Sequence, residues 1–516
     1  MSRTRQFTTN AIANYLRFAV NVVAMFLMTP FIIRHIGRDA FGIWSLVFSI
    51  LGIFALLDCG LSTTIVKAVA DCHADGDTER RNKLLSTISV LYAVLSIIST
   101  LAILVVSLCV GHLVPAGADR HVTVAILWIL ALRVVILALP LGVYRDVLFG
   151  EQRIATVNVV QIASTVVYSL WTWYALVRHG GLMAMAWINL AAMVCEYSAY
   201  VILAYRLVPR LRVSWLIASA ESIRRELGFS VAQLVVNTAS LVRLRTDPVI
   251  VKAFLSLESV SVYTIALRIA ESVLLLSKQI TNIFAPMVAR MHRQGDASGI
   301  RKILLSGAKL AFAASLAISL PICLLAKPLI QCWVGPEFAP AGPVLVVLLC
   351  AMSLVILQMA ACSVLTMSGH HKLTARADVC GIAINLGVSV ALAHRLGIVG
   401  IAVGTLVSTI LVDVLFVVGS ACRIYGISYY NYVRLVVLPM VLPGIASALA
   451  VFGAESLMGV GKMHFVAVCA ACGVLGFVAA FALTGLNPEE RQSIRAAAAT
   501  KKKTRPAEDP VVAGAS

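Results

Sequence analysis

Long apolar runs alternate with short polar segments along almost the whole chain. Runs of about 20 apolar residues, the length that crosses a bilayer as a helix, fall at 10–33, 41–66, 84–110, 121–144, 154–177, 181–205, 228–251, 258–288, 303–326, 343–366, 374–394, 398–420, 434–457 and 463–484. The pattern predicts an all-α polytopic membrane protein with about 14 transmembrane helices. Inside three of these runs the polar residues keep helical spacing. In span 1, Asn10, Asn14, Arg17 and Asn21 recur at intervals of four, three and four, which puts them on one face. Span 7 carries Gln233, Asn237, Ser240 and Asp247, with Arg243 at the edge of the stripe, and Pro248 interrupts the hydrogen-bond ladder just after it. Span 8 aligns Ser261, Thr264, Arg268, Glu271, Lys278 and Asn282. Spans 1, 7 and 8 therefore read as helices that line a hydrated cavity.

Composition agrees with the pattern: of 516 residues, 60% are hydrophobic and only 13% charged, with a mean hydropathy of +0.93. The formal charge of +18 first suggests an anionic partner, but the distribution of Lys and Arg explains most of it. With the N-terminus inside, 27 of the 42 basic residues fall in cytoplasmic segments, 8 on the opposite side and 7 inside spans. Basic residues near span ends stay cytoplasmic, so both termini are expected inside, and nucleic-acid binding is not indicated. The first apolar run is too long for a cleaved leader and has no small-residue cleavage site, so it reads as an uncleaved span. The twelve cysteines lie mostly within spans, where they act as small apolar residues.

The chain also resembles itself. At a shift of 219, Val69-Ala70-Asp71-Cys72-His73 lies over Val288-Ala289-Arg290-Met291-His292, and Gly76-Asp77 over Gly295-Asp296. The same shift pairs Trp44 with Tyr263, Gly150 with Gly369, Arg153 with Lys372 and Gly181 with Gly400. Two parallel six-helix repeats are expected, residues 1–225 and 226–425, each entering from the cytoplasm. Two additional helices over 426–485 and a disordered cytoplasmic tail from 486 to 516 complete the division.

Seven cations sit at membrane depth: Arg17, Arg133, Arg243, Arg245, Arg268, Lys278 and Lys309. Each costs about 3 kcal/mol there and persists mainly where it faces water-filled protein or an anion. Guanidinium and ammonium groups suit phosphate and pyrophosphate, and neighbouring amides suit sugars. The candidate substrate-binding set is Arg17, Asn21, Arg133, Asn237, Arg243, Arg268 and Lys278. Alternatives stay open: Arg243 with Asp247, and Arg268 with Glu271, can instead be internal ion pairs, while Arg17 and Lys309 are near enough to the cytoplasmic ends of their spans to snorkel. Arg133 has no acid one turn away. The acids Asp58, Glu196, Asp247, Glu271 and Asp413 are candidates for coupling to a proton or sodium ion, or simply for charge balance. No metal site, cofactor or catalytic residue is indicated. His370-His371 and the Cys469-to-Cys472 pair lack partners at metal-binding spacing.

Several stretches resemble a known family. Phe54-Ala55-Leu56-Leu57-Asp58-Cys59-Gly60 and the preceding Ile36-Gly37-Arg38-Asp39-Ala40-Phe41-Gly42-Ile43-Trp44 are similar to the polysaccharide-transport branch of the multidrug/oligosaccharidyl-lipid/polysaccharide exporter superfamily. So are Arg245-Thr246-Asp247 followed by Tyr263, Phe284-Ala285-Pro286 through Gly295-Asp296, and Trp333-Val334-Gly335-Pro336-Glu337-Phe338. The resemblance covers most of residues 5–485. It implies a bacterial inner-membrane flippase for O-antigen or exopolysaccharide repeat units carried on undecaprenyl pyrophosphate, with a cationic central cavity and alternating access. Membrane lipids are expected partners, and a polysaccharide polymerase is a candidate one. Pro248 departs from the pattern that follows the span-7 aspartate. Two rivals stand beside this reading. A small-molecule or drug exporter of the same superfamily should have an acidic or apolar cavity. A membrane-embedded glycosyltransferase or polymerase commonly needs a large extracytoplasmic loop with clustered carboxylates, which the sequence lacks, so an enzyme is not expected.

Overall fold

The computed structural model describes residues 3–54, 61–113, 118–217, 246–281, 283–458, 462–488 and 490–491. Among these residues every regular element is a helix. The N-terminal part comprises α1 (Arg3–Ile36), α2 (Arg38–Phe54), α3 (Leu61–Asp75), α4 (Thr78–Leu113), α5 (Ala118–Leu132), α6 (Leu139–Gly150), α7 (Ile154–Val177) and α8 (Leu182–Leu207). Long helices follow at Leu257–Thr281, Ala308–Leu324, Ala341–Met367, His371–Ser408, Val441–Met458 and Met463–Ala480.

Ten of the described helices are long and apolar enough to cross a membrane, or eleven if a bent pair is taken as one span. The fourteen expected spans differ from these ten at four places, each with a local cause. The 41–66 run is divided between α2 and α3, and most of 228–251 lies outside the described residues. The 121–144 run is bent by 45° between Arg120–Val135 and Pro140–Gly150. Finally, 374–394 and 398–420 join in one continuous stretch whose only non-helical residue is Gly397, at φ 58° and ψ −137°.

The surface is that of a chain solvated by hydrocarbon. On α4, Ile97, Leu101, Val105 and Leu108 are 64%, 59%, 60% and 68% exposed. Their spacing makes one outward stripe, whereas Ser96, Ser99 and Ile103 are buried. Many hydroxyls inside the helices bond their own backbone one turn back, as Ser49 does to Ser45 O (2.9 Å) and Ser277 to Val273 O (2.9 Å).

The repeat seen in the sequence recurs in local geometry. Gly76 and Gly295 both take the left-handed conformation, at φ 71° and 69°, which glycine adopts without a steric penalty. The following Asp77 and Asp296 N–H groups return to Cys72 O (3.1 Å) and Met291 O (3.0 Å). Their carboxylates then cap the next helix, accepting from Arg80 N–H (2.9 Å) and Gly299 N–H (2.8 Å). Each of these pairs differs by 219. The Gly299 N–H and the Ser298 hydroxyl also hold the Asp296 carboxyl below the usual carboxylate range.

The chain divides into two compact units that do not follow chain order. One contains Met1–Ser272, Leu329–Met352 and His370–Phe416; the other contains Val273–Pro328, Ser353–Gly369 and Val417–Ser516.

Candidate functional site

The first unit holds most of the sequence-predicted site. Arg133 begins a π-helical turn, Arg133–Ala138, that connects α5 to α6. Pro140 at the start of α6 lacks an N–H, and the loosened turn leaves Val135 O to accept from the Ser96 hydroxyl (2.8 Å). The Arg133 guanidinium donates to Asn189 Oδ1 (2.9 Å) and sits over the Phe48 ring, 5.1 Å from its centroid. Its Nε has no hydrogen-bond partner among the described residues.

Arg268 donates to the Thr29 hydroxyl (3.2 Å) and lies over the Phe41 ring at 5.2 Å. Phe41 and Phe48 are seven residues apart on α2, so they share one face about 10 Å apart along the axis. Each aromatic face carries a guanidinium, an arrangement that favours the cation electrostatically. Tyr168 of α7 reaches Asn189 and lies within electrostatic range of both Arg133 and Arg268. The structure thus brings together two cations that the sequence separates by 135 positions.

Arg133 is less isolated than its sequence neighbours imply. Glu196 and Tyr197 of α8 lie within its electrostatic range, and Glu196 accepts from the Tyr200 hydroxyl (2.8 Å). One member of this network was missed by sequence reasoning. Arg145, expected at the cytoplasmic end of span 4, lies inside α6 with its guanidinium on Asp146 Oδ1 (2.8 Å), and Asp146 is 1% exposed. The apolar Val147-Leu148-Phe149 after this pair was the available signal that the helix continues.

The polar face of α1 meets α7. Asn10 takes the Ala155 N–H (3.0 Å), Arg17 donates to Gln161 Oε1 (2.8 Å) and Asn14 Oδ1 (3.1 Å), and Asn21 accepts from Thr165 (3.0 Å). Arg17 is half-buried in this seam, while Asn21 is at its exposed edge.

Asp247 is 2% exposed. Its Oδ2 accepts from the Tyr263 hydroxyl (2.6 Å) and from Thr405 (3.0 Å), and Thr405 in turn accepts from Asn385 (2.9 Å). Glu271, half-buried on the Leu257–Thr281 helix, is within electrostatic range of Tyr263. Asp413 is 4% exposed in the π-helical stretch Thr409–Val418. Asp58, Asn237, Arg243 and Arg245 lie outside the described residues.

In the second unit, Lys278 is half-buried near Cys362. Lys309 is paired inside the protein. It is 2% exposed, donates to Gly485 O (3.1 Å) and pairs with Glu490 at 2.5 Å. Burial would raise the Glu490 carboxyl, but hydrogen bonds from Lys309 and the Asn487 N–H hold it below its ordinary value.

A second arrangement in the first unit has the symmetry of the repeat. A Cβ on Gly42 would meet Leu257 O at 2.3 Å, and the Ser261 hydroxyl donates to Arg38 O. At the 219 shift, Gly42 corresponds to Ser261 and Arg38 to Leu257. The two helix starts therefore touch through equivalent positions, as a two-fold contact requires. Arg38 reinforces it with an ion pair to Glu258 (2.8 Å) and a place over the Phe338 ring at 5.3 Å. Nearby, the Trp333 indole donates to Phe26 O (2.8 Å).

Among the described residues, the fold defines a multi-pass, helical membrane protein. The chain belongs to the polysaccharide biosynthesis protein family, whose model matches residues 31–343. It is similar to an uncharacterized membrane protein, EpsK of Bacillus subtilis (strain 168), with 23% identity over 355 residues, 66% of this chain and 68% of that protein. Among solved structures, the fold is similar to that of the lipid II flippase MurJ in an inward closed conformation. That match has a TM-score of 0.72 and 10% identity, and covers 92% of this chain and 98% of MurJ. It is also similar to an inward-facing multidrug resistance MATE family transporter of the MOP superfamily, with a TM-score of 0.67, 14% identity, and 79% and 96% coverage.

Proposed function

We propose that this protein is a flippase that moves undecaprenyl-pyrophosphate-linked oligosaccharide repeat units across the bacterial inner membrane. The observation that carries the reading is the pair Arg133 and Arg268, held two turns apart over Phe48 and Phe41 of α2. A diphosphate meets two fixed forks there, and charge-assisted hydrogen bonds to guanidinium are the strong kind. Asn189 and Tyr168 offer amide and hydroxyl groups to the glycan, and the polyprenyl chain stays in lipid. Arg17, Asn21, Asn237, Arg243 and Lys278 are proposed as further contacts along the route.

Transport proceeds by alternating access between two six-helix repeats, 1–225 and 226–425, with both termini cytoplasmic. The Gly42–Leu257 and Ser261–Arg38 contacts close the extracytoplasmic end, because they lie where spans 2 and 8 begin. Asp247, with its Tyr263 and Thr405 hydroxyl donors, is the proposed site of proton or sodium coupling, as a buried acid with exchangeable partners suits either ion. Asp58, Glu196, Glu271 and Asp413 are the other acids proposed for that role. The protein acts without catalysing bond cleavage, and a polysaccharide polymerase is a proposed downstream partner.

The reading is tested by Arg133→Ala and Arg268→Ala in a producing strain, with membrane levels of each variant checked. Each is expected to cut polymer output about tenfold or more, the scale of one lost charge-assisted contact. Wild-type output from both, at equal protein level, excludes the pair. A drug exporter of the same fold is the second reading, disfavoured by two arginines at the centre of the site.

A further inference from the structure

The connection between the two repeats begins at the end of α8, and its first ten residues are built rather than loose. Arg210 takes the left-handed conformation, at φ 54°, uncommon for a non-glycine residue, and the chain reverses there. It then runs beside the first turns of α4. Pro209 O accepts from Arg81 (2.8 Å), Arg210 O accepts from Asn82 (2.8 Å), and Ser214 N–H donates to the Ser86 hydroxyl (2.9 Å). The partners keep a constant separation of 128 positions, so the irregular segment stays in step with α4. Val208 and Leu211 turn inward, 1% and 6% exposed.

The apolar run of α4 starts at about residue 84. From Arg81 to Ser86 the helix rises about 7 Å, so the segment is carried back to the membrane edge. There a short 3₁₀ turn, Trp215–Ile217, packs against α4. Trp215 and Leu216 are 80% and 82% exposed. Arg210 and Arg212 on the same ten residues, and Arg206 at the end of α8, are exposed as well. Two large apolar side chains held outward at the membrane edge, with three exposed cations close by in the chain, form a surface with one chemically matched occupant. Indole belongs at the headgroup level, and basic side chains there attract anionic lipid.

We propose that residues 206–217 are an interfacial anchor for anionic phospholipid. Trp215 and Leu216 enter the headgroup region, and Arg206, Arg210 and Arg212 meet lipid phosphates. The anchor fixes the inter-repeat connection to the bilayer beside the first repeat. It rests on the placement of α4 and α8 in the membrane, and not on which leaflet they face.

The test uses the full-length protein in nanodiscs of phosphatidylcholine doped with either brominated phosphatidylglycerol or brominated phosphatidylcholine. Subtracting the emission of Trp215→Phe isolates Trp215. Its quenching by brominated phosphatidylglycerol is expected to exceed that by brominated phosphatidylcholine about twofold or more, with little effect of aqueous iodide. Arg210→Gln/Arg212→Gln should abolish the difference while leaving the lipid quenching itself. Equal quenching by the two lipids in the unaltered chain overturns the anionic preference, and quenching by iodide alone overturns the anchor. Both leaflets carry the same lipids in a nanodisc, so a reversed topology, which would undercut the transport reading, leaves this result unchanged.

Discussion

A charge inside a membrane protein has to be accounted for atom by atom, and here the accounts differ. Arg133 and Arg268 were legible in the sequence because a cation in an apolar run carries an energetic cost. Their common support on α2 was not, since nothing in the local sequence of Phe41 or Phe48 announces a guanidinium partner. The Asp247–Tyr263 bond joins two residues that the family resemblance had already singled out. Lys309 shows the opposite case. Its partner Glu490 is 181 positions away and beyond the last span, so no spacing rule could find it. Removing one side of a buried pair costs about 3–5 kcal/mol. Glu490→Gln is therefore expected to lower the melting temperature of the detergent-solubilised protein, and an unchanged melting temperature would count against the pair. The Glu490 carboxyl is depressed in the folded chain, so its contribution is present above the unfolded carboxylate range. That contribution is lost as pH falls through the lowered folded value. Acid destabilisation should accordingly be smaller in Glu490→Gln than in the unaltered chain.

At the scale of elements, hydropathy located most helices and misplaced some of their ends. Apolar patterning cannot see a bend that depends on Pro140 and a π turn, nor a helix that continues past a paired Arg145-Asp146. The polar face of α1 was visible as a stripe, but the stripe alone did not say that α7 covers it. The shift of 219 proved more informative than any single motif, because it pairs Gly42 with Ser261 and Arg38 with Leu257. A side chain at Gly42 must displace the Leu257 carbonyl, which lies 2.3 Å from a built Cβ. Gly42→Val is expected to impair transport far more than Ser261→Ala, at equal expression. Conversely, a disulfide between Arg38→Cys and Glu258→Cys, introduced where the ion pair now sits, should arrest transport until reductant is added. Uninterrupted transport in the oxidised double variant would remove this crossing from the transport cycle.

For the whole molecule, the positive-inside bias predicts orientation, and the repeat predicts that both halves share it. Cysteines introduced at the Gly76 and Gly295 turns should react with a membrane-impermeant reagent only after cells are permeabilised. Labelling of either turn in intact cells would break the parallel-repeat topology. With that orientation, the proposed Arg133 and Arg268 site is expected to be reached from the cytoplasm when the extracytoplasmic crossing is closed. The most direct measurement is flipping by the purified protein in proteoliposomes, comparing a short glycan on a polyprenyl pyrophosphate with the same glycan on an uncharged polyprenol. The protein is expected to translocate the pyrophosphate-linked glycan at least about tenfold faster, and Arg133→Ala/Arg268→Ala to remove that advantage. Equal rates for the two lipids, or a double variant as fast as the unaltered protein on the charged one, would contradict this expectation.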